Sequence, residues 1–327
     1  MYNVFQVYMI MIYFCNEFKL IISIRQLKNE LFSVANCSFF LCNVLTIHSQ
    51  TVKYAPAWFG PNANPVADFG DARIPAETTV SLMGDYYFGF GDKTSNVRYQ
   101  IEIPLLPSRV SLSVWNTGFE RFSVTDEVKT ARGMTQNSGK AAGDFYVQTR
   151  ISLWKETDRM PDIILNATIK SASGTNFIQR RYFDTPGYYF DVAAGKSFDT
   201  GGKFISEIRT VANIGFLCWE TSGSLQDDAP MYGGKIILGN KKWQLDNSLS
   251  GYWGWIHTNA NINPAGDYGD APLVYASKFT LKGSKLDYFT QYQYGIKDFP
   301  YQQIRVGISF PIIPLTPKGE FLSTSNH

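Results

Sequence analysis

From residue 77 onward the chain alternates apolar and polar residues in segments of about ten, the clearest of them spanning 145–153. There Phe145, Val147, Ile151 and Leu153 fall on one face, and Gln148, Arg150 and Ser152 on the other. Strict alternation marks a strand whose two faces meet different environments. When such strands are this long and their polar face carries Arg, Lys, Asp and Glu, the pattern predicts lipid outside and water inside. The expected fold is all-β, a transmembrane antiparallel up-and-down β-barrel.

Counting the segments gives about twelve strands, within a range of roughly 10–14. The first sets Val80, Leu82, Tyr86 and Phe88 against Thr79, Ser81 and Asp85, and the second sets Val97, Tyr99 and Ile101 against Arg98, Gln100 and Glu102. The third begins near Arg109, and the fourth is 145–153. The fifth opposes Ile163, Leu165, Ala167 and Ile169 to Asn166, Thr168 and Lys170, and the sixth opposes Tyr188, Phe190 and Val192 to Asp191. The seventh, 203–217, carries Glu207, Arg209 and Asn213 on its polar side, and the eighth contains Ile236 and Leu238. In the ninth Trp243, Leu245 and Leu249 oppose Gln244, Asp246 and Ser248. The last three place Lys278, Asp287 and Arg305 on polar faces, opposite Phe279, Tyr288 and Ile304.

The connections give an independent test. Links after the even strands are short, such as 105–108, 156–161 and 239–241, whereas those after strands three, five, seven and nine are long, as in 117–142 or 254–271. Barrels of the bacterial outer membrane have short periplasmic turns, long extracellular loops and an even strand number. A soluble sandwich has no reason to sort its loops by parity. The last segment ends on the aromatic Phe310, near where barrel-assembly machinery reads a terminal aromatic strand, although a tail follows it.

On these features the chain resembles the outer-membrane β-barrel proteins of Gram-negative bacteria over about 77–310. The stretch Pro161-Asp162-Ile163-Ile164-Leu165-Asn166-Ala167-Thr168-Ile169-Lys170, followed by Gly174 and Tyr189-Phe190-Asp191-Val192, is similar to members of such families. The resemblance implies location in the outer membrane, with membrane lipid and the assembly machinery as partners. It carries no functional residue with it.

Composition adds an aromatic content of 15%, with 19 Tyr, 24 Phe and 7 Trp in 327 residues, which suits strands and interfacial girdles. A formal net charge of +2 gives no reason to expect nucleic acid as a partner. Upstream, Arg25 and Lys28 precede an apolar run, 31–47, that leads into His48-Ser49-Gln50, the layout of a secretory signal cleaved near Ser49. The expected division is an upstream extension and signal peptide (1–49), a plug or periplasmic lead-in (50–76), the barrel (77–312) and a tail (313–327). Cys15, Cys37 and Cys42 fall in the removed part, a lipid anchor at Cys37 or Cys42 being the less favoured alternative. Cys218 alone makes neither an intrachain disulfide nor a zinc site.

The candidate functional residues line the lumen: Asp85, Arg98, Glu102, Arg150, Lys170, Asp191, Glu207, Arg209, Asp246, Lys278, Asp287 and Arg305. Two readings of them stand. One is a passive channel for small solutes with a transverse field across its constriction. The other is a structural or ligand-binding barrel with a closed, salt-bridged lumen. Asn62-Ala63-Asn64-Pro65 with Asp68-Phe69-Gly70-Asp71-Ala72 is nearly repeated by Asn261-Ile262-Asn263-Pro264 with Asp267-Tyr268-Gly269-Asp270-Ala271. Two matching Asx/Gly turns explain the repeat better than a calcium site does. A third reading, a lipid-modifying enzyme, rests on His257, which follows the interfacial Trp253 and Trp255. No serine at a recognisable spacing supports it, so no catalytic residue, metal site or cofactor is expected.

Overall fold

The computed structural model describes residues 55–220, 226–254 and 268–317. The alternating segments form β1 (Thr79–Gly89), β2 (Asp92–Leu106), β3 (Val110–Val124), β4 (Ser138–Ala141), β5 (Phe145–Trp154), β6 (Asp162–Lys170) and β7 (Gly187–Asp199). They continue as β8 (Glu207–Glu220), β9 (Gln226–Gly239), β10 (Trp243–Tyr252), β11 (Leu273–Leu281), β12 (Asp287–Lys297) and β13 (Gln302–Pro311). Neighbouring strands pair antiparallel, and β13 returns to β1, from Thr79 opposite Pro311 to Phe88 opposite Gln302. The sheet is therefore closed. The short β4 lies in a loop and pairs only with residues Glu120 to Ser123 of β3, which leaves twelve strands in the barrel. Closure gives each of the twelve barrel strands two partners, as hydrocarbon demands of a backbone it cannot hydrogen-bond.

Alternation sorts the side chains as the pattern predicts. On the outside, Ile214 is 72% exposed and Val306 57%, whereas inward Asp85 and Arg305 are only 4% and 8% exposed. Outward aromatics collect at both ends. Trp154, Phe198, Trp243 and Tyr288 stand at one, and Phe145, Tyr188 and Trp253 at the other. Two such girdles suit the two interfaces of a membrane. Among the described residues no helix is long and apolar enough to cross a membrane.

One end of the barrel, the turn end, holds the start of β1, the end of β13 and the links 107–109, 155–161, 200–206, 240–242 and 282–286. The opposite, loop end carries 125–144, 171–186 and the described residues 253–254 and 268–272, and the first of these contains α1 (Asp126–Arg132), capped by the Thr125 hydroxyl accepting from the Val128 N–H. Its remaining links are short. The β1–β2 turn is only Phe90 and Gly91, with φ of +52° and +69°, the left-handed pair that a type I′ hairpin needs. The expected long loop after the seventh strand contracts to 221–225, because β8 and β9 pair up to Glu220 opposite Gln226. The run through Asp227, Asp228, Pro230, Gly233 and Gly234 reads as loop, but it is strand. The third strand likewise extends past 117 to Val124, with Gly118 left unpaired at a bulge.

The expected leader with Cys15, Cys37 and Cys42, the 255–267 stretch with His257, and the tail from 318 lie outside the described residues.

Candidate functional site: a lumen crossed by an inner segment

Residues 55–76, rich in Pro, Gly and Asn, have no strand period and join no ladder. Their backbone is held instead by inward side chains of the barrel and its loops. At the loop end, Arg132 donates to the Ala57 carbonyl at 3.1 and 3.2 Å, and the Tyr301 hydroxyl donates to the Phe59 carbonyl. Asn62 donates to Glu120 at 2.7 Å and to Asn96 at 3.1 Å. Midway, Val66 and Ala67 pack against an inward cluster that includes Tyr146, Tyr189, Leu217 and Trp219. Phe69 and Ala72 pack against Ala193, Val211 and Ile237. At the turn end Arg209 donates to the Asp71 carbonyl at 2.8 Å, while Arg73 pairs with Glu207 at 2.7 Å. The segment thus runs inside the barrel from the loop end to the turn end.

The sequence-predicted residues fall into separate groups. Arg209 pairs with Glu156 at 2.7 Å and Asp162 at 2.8 Å, and with Glu207 and Arg73 it anchors the turn end. Burial works against ionisation at Glu156, but the Ser197 N–H and the Arg209 guanidinium outweigh it and hold the carboxyl below its usual range. Glu102 and Arg150 pair at 2.7 Å. Asp191 accepts from Asn166 at 2.8 Å, and Asn166 lies opposite Arg150 in register, so the row continues along the same wall. Lys170 is sealed under the loop end, paired with Asp144 at 2.8 Å. Asp287 accepts from the Gly283 N–H at 3.1 Å and so serves a turn.

Asp85, Arg98, Asp246, Lys278 and Arg305 come together on one wall. Register places Asp85 opposite Arg305, Arg98 opposite Met83, and Lys278 opposite both Gln291 and Asp246. Lys235 of β9 ends this arc and reaches Asp68 of the inner segment at 3.4 Å. The Asp68 side chain is 67% exposed, so water reaches the space between segment and arc.

A network absent from the sequence expectations closes part of the loop end. Arg181 pairs with Asp92 and with Glu120 at 2.7 Å each, Arg132 pairs with Asp92 at 2.8 Å, and all four side chains are essentially unexposed. Tyr182 donates to Glu120 at 2.9 Å, and the Arg181 guanidinium lies 4.6 Å from the Phe122 ring. Both arginines come from loops or a loop helix, where no periodicity marks them. The two copies of the near-repeat have different surroundings. Asp68 meets Lys235, whereas the Gly269 and Ala271 N–H groups donate to Asp298 at 2.8 and 3.1 Å.

The closed sheet is similar to that of solved outer-membrane β-barrels. A crystal structure of an outer-membrane channel from Pseudomonas putida F1 matches at a TM-score of 0.51, over 75% of this chain and 100% of that one, with 11% identity. The NanC porin matches at 0.47 with 10% identity, over 71% and 100% of the two chains. The KdgM porin matches at 0.43 with 9% identity, over 71% and 99%. The fold is that of an outer-membrane β-barrel. No family model and no curated protein matches the sequence.

Proposed function

We propose that the protein is a channel of the bacterial outer membrane that passes small solutes through a lumen narrowed by residues 55–76. The carrying observation is the division of the lumen. The inner segment packs on the β7–β9 wall through Phe69 and Ala72, and the polar arc from β10 round to β2 faces it across a water-accessible gap. An apolar exterior with two aromatic girdles supports residence in a bilayer. The likeness to an outer-membrane channel agrees at the level of fold.

The test is purified full-length protein in planar lipid bilayers. Discrete conductance steps are expected, small for twelve strands because the segment takes up part of the section. No steps at any voltage would overturn the channel and favour a second reading, a structural or ligand-binding barrel with a closed lumen. The specific support for that alternative is the buried Asp92–Glu120–Arg132–Arg181 network, which ties β2, β3 and two loops to the inner segment.

A further inference from the structure

The charges on the two sides of the gap are not balanced. On the arc, Arg305 is neutralised by Asp85, with contacts at 2.5 and 3.1 Å. Lys235 is matched by Asp68. Asp246 accepts from Gln244 at 2.7 Å and faces Lys278 in register. Among the described residues, neither Arg98 nor Lys278 has a carboxylate within ion-pair distance. Each instead faces an aromatic ring, Arg98 over Trp115 at 5.6 Å and Lys278 over Phe289 at 4.5 Å. The Arg98 Nε is buried with no hydrogen-bond partner. Four cations therefore meet three carboxylates, and the surplus is positive.

Asp68 is the odd member. It belongs to the inner segment rather than to the barrel wall, and its carboxylate lies in the field of Lys235, Lys278, Arg305 and Arg98. Its side chain is 67% exposed and meets Lys235 at 3.4 Å. A solvated carboxylate facing several wall cations occupies the place a passing anion would take.

Resting on the channel reading above, we infer that the gap between Asp68 and the arc is an anion-binding constriction, selective for small anions and carboxylates, with Asp68 as its built-in counter-charge. Arg98 and Lys278 supply the attraction. Asp68 moderates it, so that an anion enters without being trapped, as conduction through a site requires.

The experiment is reversal-potential measurement in planar bilayers under a potassium chloride gradient, on wild type, Asp68→Asn and Lys278→Gln. Retention of the folded form of each variant is checked by its heat-dependent mobility shift on gels. Wild type is expected to prefer chloride. Removing the Asp68 charge raises the chloride-to-potassium permeability ratio by about twofold or more, the effect of one unit charge across a water-filled gap. Lys278→Gln lowers the ratio by a similar factor. Succinate added to one side reduces wild-type current, and does so more strongly in Asp68→Asn. Potassium preference in wild type, or a ratio unmoved by both substitutions while conductance persists, would overturn the inference and leave the channel standing. Absence of conductance from all three proteins would instead overturn the channel reading and the inference with it.

Discussion

The Phe69 ring lies over Gly233 so closely that a Cβ built on that glycine would stand 2.3 Å from the ring's Cε1. Wall and inner segment are fitted to one another at this point, and the missing side chain of β9 makes room for the ring. Gly233→Val fills that room, and overpacking a fitted site costs roughly 1–3 kcal/mol. The ring should leave the wall, and the Lys235 bond to the Phe69 carbonyl should go with it. Single-channel conductance should rise in Gly233→Val and, without added volume, in Phe69→Ala. Conductance unchanged in both would mean that the segment does not narrow the lumen.

Arg209 is the corresponding tether at the turn end. It is 1% exposed and holds Glu156, Asp162 and the Asp71 carbonyl together. Arg209→Met leaves Asp162 without its cation and Glu156 with Lys196 alone at 3.7 Å, a change that costs about 3–5 kcal/mol for a fully buried pair and less where the carboxylates reach water, as here. The urea midpoint of the folded barrel in detergent should fall. The triple variant with Glu156→Gln and Asp162→Asn should recover part of the loss, since no stranded charge remains. A midpoint unmoved by Arg209→Met would show that the tether adds nothing to stability.

Much of the barrel was legible because period-2 alternation is imposed by lipid on one side and water on the other. Asp85 and Arg305 both read as inward from local pattern alone. That they pair does not, because the first and last strands meet only on closure. The height of β8 and β9 was hidden for a different reason. Gly233 looks like a loop residue until Phe69 is placed on it. The inner segment carries no period at all, since the barrel grips it largely by the carbonyls of Ala57, Phe59, Asp71 and Ala72, and a carbonyl is the same for every residue. Arg132 and Arg181 came from loops, where nothing in the spacing distinguishes a buried guanidinium from a solvated one.

Arg181 should prove the most sensitive position at the loop end. Burial alone would disfavour its charge, but Glu120 and Asp92 hold it firmly ionised. Arg181→Met strands Glu120 and leaves Asp92 to Arg132 alone, again at about 3–5 kcal/mol. The cost should appear as a lower thermal midpoint in detergent, together with faster proteolysis of the 125–144 and 171–186 loops. Arg181→Lys should rescue little, because an ammonium cannot serve Asp92, Glu120 and Thr94 together through a planar fork. Full rescue by lysine would show that charge alone, and not the fork, matters.

Acid should loosen the turn end first. Because the Glu156 carboxyl is held below its ordinary value in the folded state, its contribution is present above the unfolded pKa of about 4.3 and is lost as pH falls through the lower, folded value. Urea midpoints should therefore drop below about pH 4.3 in wild type. The Glu156→Gln variant should show a shallower drop from a lower plateau. Identical slopes in the two proteins would remove Glu156 from the acid response.

The two faces of the barrel wall make opposite predictions for one kind of substitution. Val306, outward and 57% exposed, sits near the middle of β13. An arginine there meets hydrocarbon, at a cost of about 2–4 kcal/mol near the bilayer midplane. On the inner face Ser248 of β10 is partly open to the lumen, and Ser248→Arg adds a charge that water can reach. Val306→Arg should lower the unfolding midpoint in lipid vesicles while leaving ion selectivity unchanged. Ser248→Arg should leave the midpoint within about 0.5 kcal/mol and shift the reversal potential toward anions. If Val306→Arg were as stable in vesicles as wild type, the outward face would not be the one that meets lipid.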